Sequence, residues 1–206
     1  MQKIKDLCDT IFPSIDGWCA IEKAEVMIDL VEETTPSLIL ELGVFAGKSL
    51  LPLALASKKM NPSAKVIGID AWAPQASLEG IHTPANNDWW SKLDYNLIYN
   101  RATELMKFHK VSDIVELWKM RTVDVADKFQ DHSIDILHQD SNHSEEVSCA
   151  EVELYWNKVK PGGYWVFNDT NWDTMKKAQE LLLSKGYQIF VVQDENLWRV
   201  YKKNTT

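Results

Sequence analysis

Residues 37–50 read SLILELGVFAGKSL, and the architecture of the chain follows from them. "SLILELGV" (37–44) is a short apolar run placed directly after Pro36. Its length and near-continuous apolar character predict a strand buried on both faces. The run breaks at Gly43, and residues 48–60 take up helical character, with Pro52 near enough to the first turn to be tolerated. Strand, glycine turn and helix together form the repeating unit of an α/β sheet.

The same rhythm extends outward in both directions. Towards the N-terminus, residues 20–33 put Ala20, Ala24, Met27, Ile28 and Val31 on one face, so residues 1–34 are expected to form a helical cap. Towards the C-terminus, "KVIGIDAW" (65–72), "VELWKM" (115–120), "SIDILHQ" (133–139) and "GYWVFND" (163–169) read as further strands. A helix over 142–159 is predicted to start with a capping box from Asn142 and Glu145 and to end at "KPGG" (160–163). A second helix over 173–185 stops at Gly186. "YQIFVV" (187–192) and "LWRVYKK" (197–203) close the chain as a hairpin around "QDEN". The sum is one doubly wound, mostly parallel α/β sheet of seven strands, the hairpin making one of them antiparallel. Residues 73–100 interrupt the rhythm, being too long and polar for an ordinary connection, and are expected to form a functional loop or lid.

Composition narrows the classes of function. A chain of 206 residues is sized for a single domain with a substantial core. The net charge of −8 argues against nucleic acid as a partner, since phosphate backbones select basic surfaces. No apolar run is long enough to span a bilayer, and "MQKIKDLCDTIF" lacks a signal-peptide core. Cys8, Cys19 and Cys149 are scattered and odd in number, which points to a reducing cytoplasm rather than a disulfide framework. The expected partner is a small molecule, and assembly into a homo-oligomer is compatible with this composition.

Open α/β sheets bind ligands beyond the carboxyl ends of their strands. Here those ends carry Glu41 with the turn "GVFAGKS", then Asp70, then Asp140, then Asn168 and Asp169. The turn is neither of two common phosphate cradles. Gly43 and Gly47 are one residue too close for a P-loop, and Val44-Phe45 breaks the G-x-G-x-x-G spacing. Glu41 would repel a pyrophosphate but suits a cation, Gly43 lets a ligand approach the backbone, and Asp70 can accept two ribose hydroxyls. A cation joined to a ribose describes S-adenosylmethionine. The stretch "ILHQDSNHSEE" (136–146) then raises a choice. Asp140 and His143 are either a strand end and a helix start, or one chemical site.

"GWCAIEKA", "LILELGVFAGKSL", "VIGIDAW", "IDILHQDSNHSEE" and "KVKPGGYWVFNDTNW", in this order over residues 16–173, resemble the class I S-adenosylmethionine-dependent methyltransferases. The nearest branch is similar to the macrocin-type sugar O-methyltransferases. The resemblance implies a Rossmann-like methyltransferase fold with an antiparallel final strand. It implies that the turn containing Glu41, Gly43, Phe45, Ala46, Gly47 and Ser49 holds the methionine part. Asp70 would bind the ribose with Trp72 nearby, Thr122 would lie near the adenine, and Asp140 would border the cofactor. It further implies Asp140, Asn168 and Asp169 as ligands of Mg²⁺, a hard ion suited to oxygen donors. His143 would be the base that takes the acceptor's hydroxyl proton, with Asp140 beside it. The chain departs from the family at Asn168, where a carboxylate is usual, and at Gln139 and Ser141, where Ile and Gly are usual. Of the other histidines, His138 is expected in or near the core, and His82, His109 and His132 in loops or on the surface.

The reading is thus a methyltransferase acting on a hydroxyl of a small or sugar-like acceptor. Two alternatives stand beside it. A nicotinamide-dependent oxidoreductase could use a similar sheet, though the missing G-x-G-x-x-G opposes it. A protein that binds S-adenosylmethionine without chemistry gains some support from Asn168.

Overall fold

The computed structural model describes residues 1–80, 83–193, 195 and 197–205. Its strands are β1 (Leu38–Leu42), β2 (Lys65–Asp70), β3 (Val115–Lys119), β4 (Ile134–Gln139), β5 (Val159–Asn168), β6 (Tyr187–Val192) and β7 (Trp198–Lys203). They form one sheet in the order β3-β2-β1-β4-β5-β7-β6. Strands β1 to β5 are parallel, and β7 runs antiparallel between β5 and β6. The α/β architecture read from the sequence, with its antiparallel final strand, is the one observed.

The helices are α1 (Gln2–Ile11), α2 (Ile21–Thr34), α3 (Leu50–Met60), α4 (Pro74–Ser77), α5 (Pro84–Ser91), α6 (Tyr95–Phe108), α7 (Glu145–Tyr155) and α8 (Lys176–Ser184). Alternate residues of the central strands feed two cores. Ile39, Val66 and Ile136 pack on one face with Met27, Ile28, Leu50 and Ala102, from α2, α3 and α6. Leu40, Ile67 and Leu137 pack on the other with Val152, Tyr155, Ala178 and Leu182, from α7 and α8. Burial on both faces explains why these strands read as continuous apolar runs. The chain winds outward from β1 through β2 to β3, then returns to β4 on the other side of β1. The switch point between β1 and β4 is therefore the crevice where a ligand is expected.

Three local expectations need correction. Helix α7 is capped by Ser144, whose Oγ accepts the Val147 amide at 3.3 Å, and not by Asn142. The Asn142 side chain instead donates to the carbonyls of Ala76 and Glu79, each at 2.9 Å, and so ties the α4 segment to the sheet. "KPGG" lies inside β5 rather than behind a helix, because β5 already begins at Val159. The described residues of 73–100 also form helices rather than a plain loop. Thr83 caps α5 by accepting from the Asn86 amide, Pro84 takes the first helical position, and Asp94 caps α6. Helix α6, which continues to Phe108, has no counterpart in the sequence reading. His82 and part of the "QDEN" loop lie outside the described residues.

Candidate active site

The turns after β1 and β2 are shaped mainly by backbone. Gly43 adopts φ +85°, and a Cβ there would stand 2.2 Å from the Asp140 carbonyl oxygen. Glycine is thus required because the β1 turn passes against the chain leaving β4. Phe45 and Trp72 also take left-handed conformations, at φ 51° and 42°. Asp70 stitches the two turns together. One of its carboxylate oxygens accepts the amides of Val44 and Phe45 at 3.1 and 3.0 Å, and the other accepts the Trp72 amide at 2.8 Å. Burial pushes the Asp70 pKa above the ordinary carboxylate range despite these three N–H donors. The Trp72 indole closes the arrangement by donating to the Phe45 carbonyl at 2.9 Å.

Glu41 departs from expectation. It is fully buried and lines neither of the cavities at the strand ends. Its carboxyl accepts the Ser49 hydroxyl at 2.6 Å, and burial pushes its pKa up to about 8. Placed inside the sheet, it supports the turn instead of facing a cofactor's cation. Ala46 and Gly47 likewise lie off the cavity walls.

Two adjoining cavities open at the switch point. The first, of about 90 Å³, runs along the ends of β1, β2 and β3 past Gly43, Asp70, Trp72 and Thr122. Ala76, Ser77, Trp90 and Tyr95 of the 73–100 segment cover it. The second, of about 420 Å³, lies over β4 and β5 between Trp18, Ser49, Asn168, Asp169 and Trp172. Gly43, Phe45, Asp140, Ser141 and His143 belong to both walls. Around the second mouth, Trp18 lies 5.2 Å from Phe45 and 5.1 Å from Trp89 between ring centroids, with Trp90 a further 4.7 Å beyond Trp89.

The ends of β4 and β5 are built from side chains. His143 Nε2 stands 2.5 Å from Asp169 Oδ2 and 3.8 Å from Asp140 Oδ1. The two groups are close, though the ring N–H is not aligned along the contact. Burial opposes a charged His143, but Asp169, with help from Asp140 and Glu151, outweighs it and holds the imidazole pKa above the usual histidine value. The ring packs on Trp172 at 5.0 Å. Asp169 is itself held below the ordinary carboxylate range: burial opposes this, and His143 overcomes it. Asn168 bridges the cluster, its amide N–H₂ donating to Asp140 at 2.9 Å and to Asp169 at 2.8 Å.

The residue that sequence reasoning missed is Lys23. From α2 its ammonium donates to Asn168 Oδ1 at 2.7 Å and to Asp140 Oδ2 at 3.3 Å, with 1% of the residue exposed. Its third direction meets His138 Nε2 at 3.5 Å. Burial works against the charge, but Asp140, Cys19 and Glu41 together raise the Lys23 pKa. His138 is buried as expected. Desolvation, seconded by Lys23, lowers its pKa to about 3, so it is neutral and its approaches to Glu41 and Asp140 are not ion pairs. A signal for Lys23 was available, since it sits three residues after Ala20 and four before Met27, inside the apolar stripe of its helix.

Glu151 is the second residue missed. Fully buried on α7, it accepts from Ser141, Thr122 and Gln139 at 2.5, 2.5 and 2.7 Å, and burial raises its pKa to about 7. The two family departures at Gln139 and Ser141 are therefore one coupled feature, both serving this buried carboxyl. Among the histidine, cysteine, aspartate and glutamate side chains of the described residues, Asp140, His143 and Asp169 are the one group of three whose ligand atoms lie mutually within 4.8 Å.

Comparisons with known proteins bear on the family and the fold. A family model described as a methyltransferase domain matches residues 40–170, well over half of the chain. The structure of the O-methyltransferase NovP superposes with a TM-score of 0.71 at 14% identity, covering 90% of this chain and 81% of that one. The O-methyltransferase TomG from Streptomyces achromogenes, solved with S-adenosylmethionine, gives 0.64 at 15% identity, covering 98% and 88%. A SAM-dependent O-methyltransferase from Thermotoga maritima gives 0.65 at 13%, covering 96% and 71%. No curated protein matches the chain by sequence. At these identities the structural likeness concerns the fold. Fold and site together define a class I S-adenosylmethionine-dependent methyltransferase. The chain belongs to the methyltransferase domain family.

Proposed function

We propose that the protein transfers the methyl group of S-adenosylmethionine to a hydroxyl oxygen of a small, sugar-like or aromatic acceptor, with His143 as the base. One observation carries this reading: His143 and Asp140 stand on the wall common to both cavities. A cofactor along β1 to β3 and an acceptor over β4 and β5 would meet there.

The residues of the first cavity fit the cofactor. Asp70 spends three of its roughly four acceptor sites on amides and keeps about one for a ribose hydroxyl, and Thr122 lines the same cavity, where it would border the adenine. Ala76, Ser77, Trp90 and Tyr95 lie along this cavity, where a lid over a bound nucleoside would sit. When bound, S-adenosylmethionine supplies an electrophilic methyl group on a sulfonium. The chain supplies the rest. His143 accepts the hydroxyl proton as the oxygen attacks, and Asp169 stabilises the imidazolium that results. Trp172 fixes the plane of the ring. Trp18, Phe45 and Trp89 offer flat apolar faces that suit a sugar's C–H surface or an aromatic ring. The O-methyltransferases among the structural neighbours support transfer to oxygen and leave the macrocin-type sugar branch as the finer form of the proposal. The transfer proposed here has no step through Mg²⁺.

The test is incubation with isotopically labelled S-adenosylmethionine and a panel of sugar, phenol and amine acceptors. Label on oxygen is the expected result. Label on nitrogen alone, or cofactor binding with no transfer to any acceptor, would overturn the reading.

A further inference from the structure

Two of the three positions that the family resemblance assigns to a metal, Asp140 and Asn168, hold a lysine side chain instead. Lys23 reaches in from α2, 117 residues away in sequence from Asp140. Its ammonium lies 2.7 Å from Asn168 Oδ1 and 3.3 Å from Asp140 Oδ2. A magnesium ion bound to those same two oxygens would stand about 2 Å from each. It would therefore occupy the space that Nζ fills. The ammonium has three donors, and all three have a neighbour: Asn168, Asp140 and the neutral His138. Its side chain is 2% exposed, so it has no outward direction for an acceptor to use.

The remaining contacts agree with a cation already in place. Asn168 turns its oxygen to Lys23 and its N–H₂ to both Asp140 and Asp169. A carboxylate at position 168 would present oxygens to two other carboxylates, so an amide is the residue that fits beside a resident ammonium. Asp169 is met by His143 from the other side at 2.5 Å. Each carboxylate thus has a partner supplied by the chain, as buried and half-buried charges require.

We infer that Lys23 is a built-in replacement for a divalent cation, holding Asp140 and Asn168 in position and making the site independent of metal. Lys23 is a positioning residue, sealed from the acceptor. A divalent ion would favour acceptors with two adjacent oxygens that can chelate it. A site filled by lysine imposes no such demand, and a single hydroxyl facing His143 suffices. The inference deepens the proposed function, but its test reads ion binding without turnover, so either can fail while the other stands.

The experiment is Mn²⁺ titration of the whole protein, followed by electron paramagnetic resonance and calorimetry. Wild type is expected to bind no Mn²⁺ saturably below the millimolar range. Asn168→Asp alone is expected to bind none either, because Lys23 still occupies the position. Lys23→Met combined with Asn168→Asp is expected to gain a single saturable site, lost again when Asp140→Asn is added. The inference is overturned if wild type, or Asn168→Asp with Lys23 intact, binds Mn²⁺ in a way that Asp140→Asn abolishes. It is equally overturned if the folded Lys23→Met/Asn168→Asp protein gains no site. Should that double variant fail to fold, the wild-type and Asn168→Asp titrations decide the matter alone.

Discussion

The two halves of the crevice are built from different materials. At the ends of β1 and β2 the ligand wall is backbone, namely the left-handed Gly43, Phe45 and Trp72 and three amides gathered by Asp70. At the ends of β4 and β5 it is side chain, namely Lys23, Asp140, His143, Asn168 and Asp169 bonded to one another. The hydrogen bonds of the first half join residues close in sequence, 27 apart at most between Phe45 and Trp72. The second joins α2 to β4 and β5 across 117 to 145 positions. The cofactor side should therefore respond to mutation as a binding surface, and the acceptor side as a catalytic network.

The largest contrast is expected at His143. His143→Ala should reduce methyl transfer by roughly 10²–10⁴, the usual contribution of a positioned base. Steady-state kinetics would check this, and an unchanged rate would remove His143 from the chemistry.

Gly43 should behave differently. Gly43→Val would combine a left-handed φ with a Cβ driven into the Asp140 carbonyl. A loss of about 2–4 kcal/mol of stability is expected from strain and overpacking together. Thermal or urea unfolding would register it. A variant that folds normally and loses cofactor affinity alone would show that Gly43 faces ligand rather than β4.

The acceptor half should also control the pH profile. Because His143 titrates above the usual histidine value, the neutral base is recovered only as pH rises, and the rate should climb through that raised pKa. Asp169→Asn removes the main cause of the shift and should move the limb to lower pH. The same linkage acts on stability. A raised folded-state pKa means that the protonated His143–Asp169 contact stabilises fully below the unfolded pKa and is lost as pH rises through the folded one. Unfolding measured at about pH 5 and about pH 9 should show this slope in wild type and a smaller one in Asp169→Asn.

At low pH the smallest effect is expected at Glu41. With a folded pKa of about 8 against an ordinary 4.5, this carboxyl is neutral at pH 7 in the folded chain and ionised in the unfolded one. The folded state thus binds the extra proton, and stability falls as pH rises from 4.5 towards 8. Glu41→Gln keeps the shape and removes the titration. It should lie within about 1 kcal/mol of wild type near pH 5 and gain relative to it as pH rises. A large loss of cofactor affinity in this variant would restore Glu41 to the binding surface.

The same contrast explains what could be read from the sequence. The sheet was legible because strands buried on both faces leave apolar runs, and "GVFAGKS" and "IDAW" place their consequences within a few residues. Asp70, Gly43, His143 and Asp140 follow from their position at strand ends. Lys23 and Glu151 do not, since each works on a distant element: Lys23 on β4 and β5, Glu151 on Thr122 and Gln139. A lysine in an apolar stripe was the trace of the first. For Glu151, the trace was the pair of polar residues at Gln139 and Ser141 where the family is apolar or small. Glu41 was misplaced because its position at a strand end does not say which way the side chain turns, and here it turns to Ser49.

One measurement tests the division directly: calorimetric titration of S-adenosylhomocysteine into wild type, Asp70→Ala and His143→Ala side by side. Wild type should bind with a Kd in the micromolar range, roughly −8 kcal/mol. Asp70→Ala should weaken binding by about 1–3 kcal/mol, as a charged acceptor is lost from the ribose hydroxyls and the two turns lose their stitch. His143→Ala should bind as wild type does. Absence of binding to wild type, or affinity that falls with His143 and survives the loss of Asp70, would contradict the account.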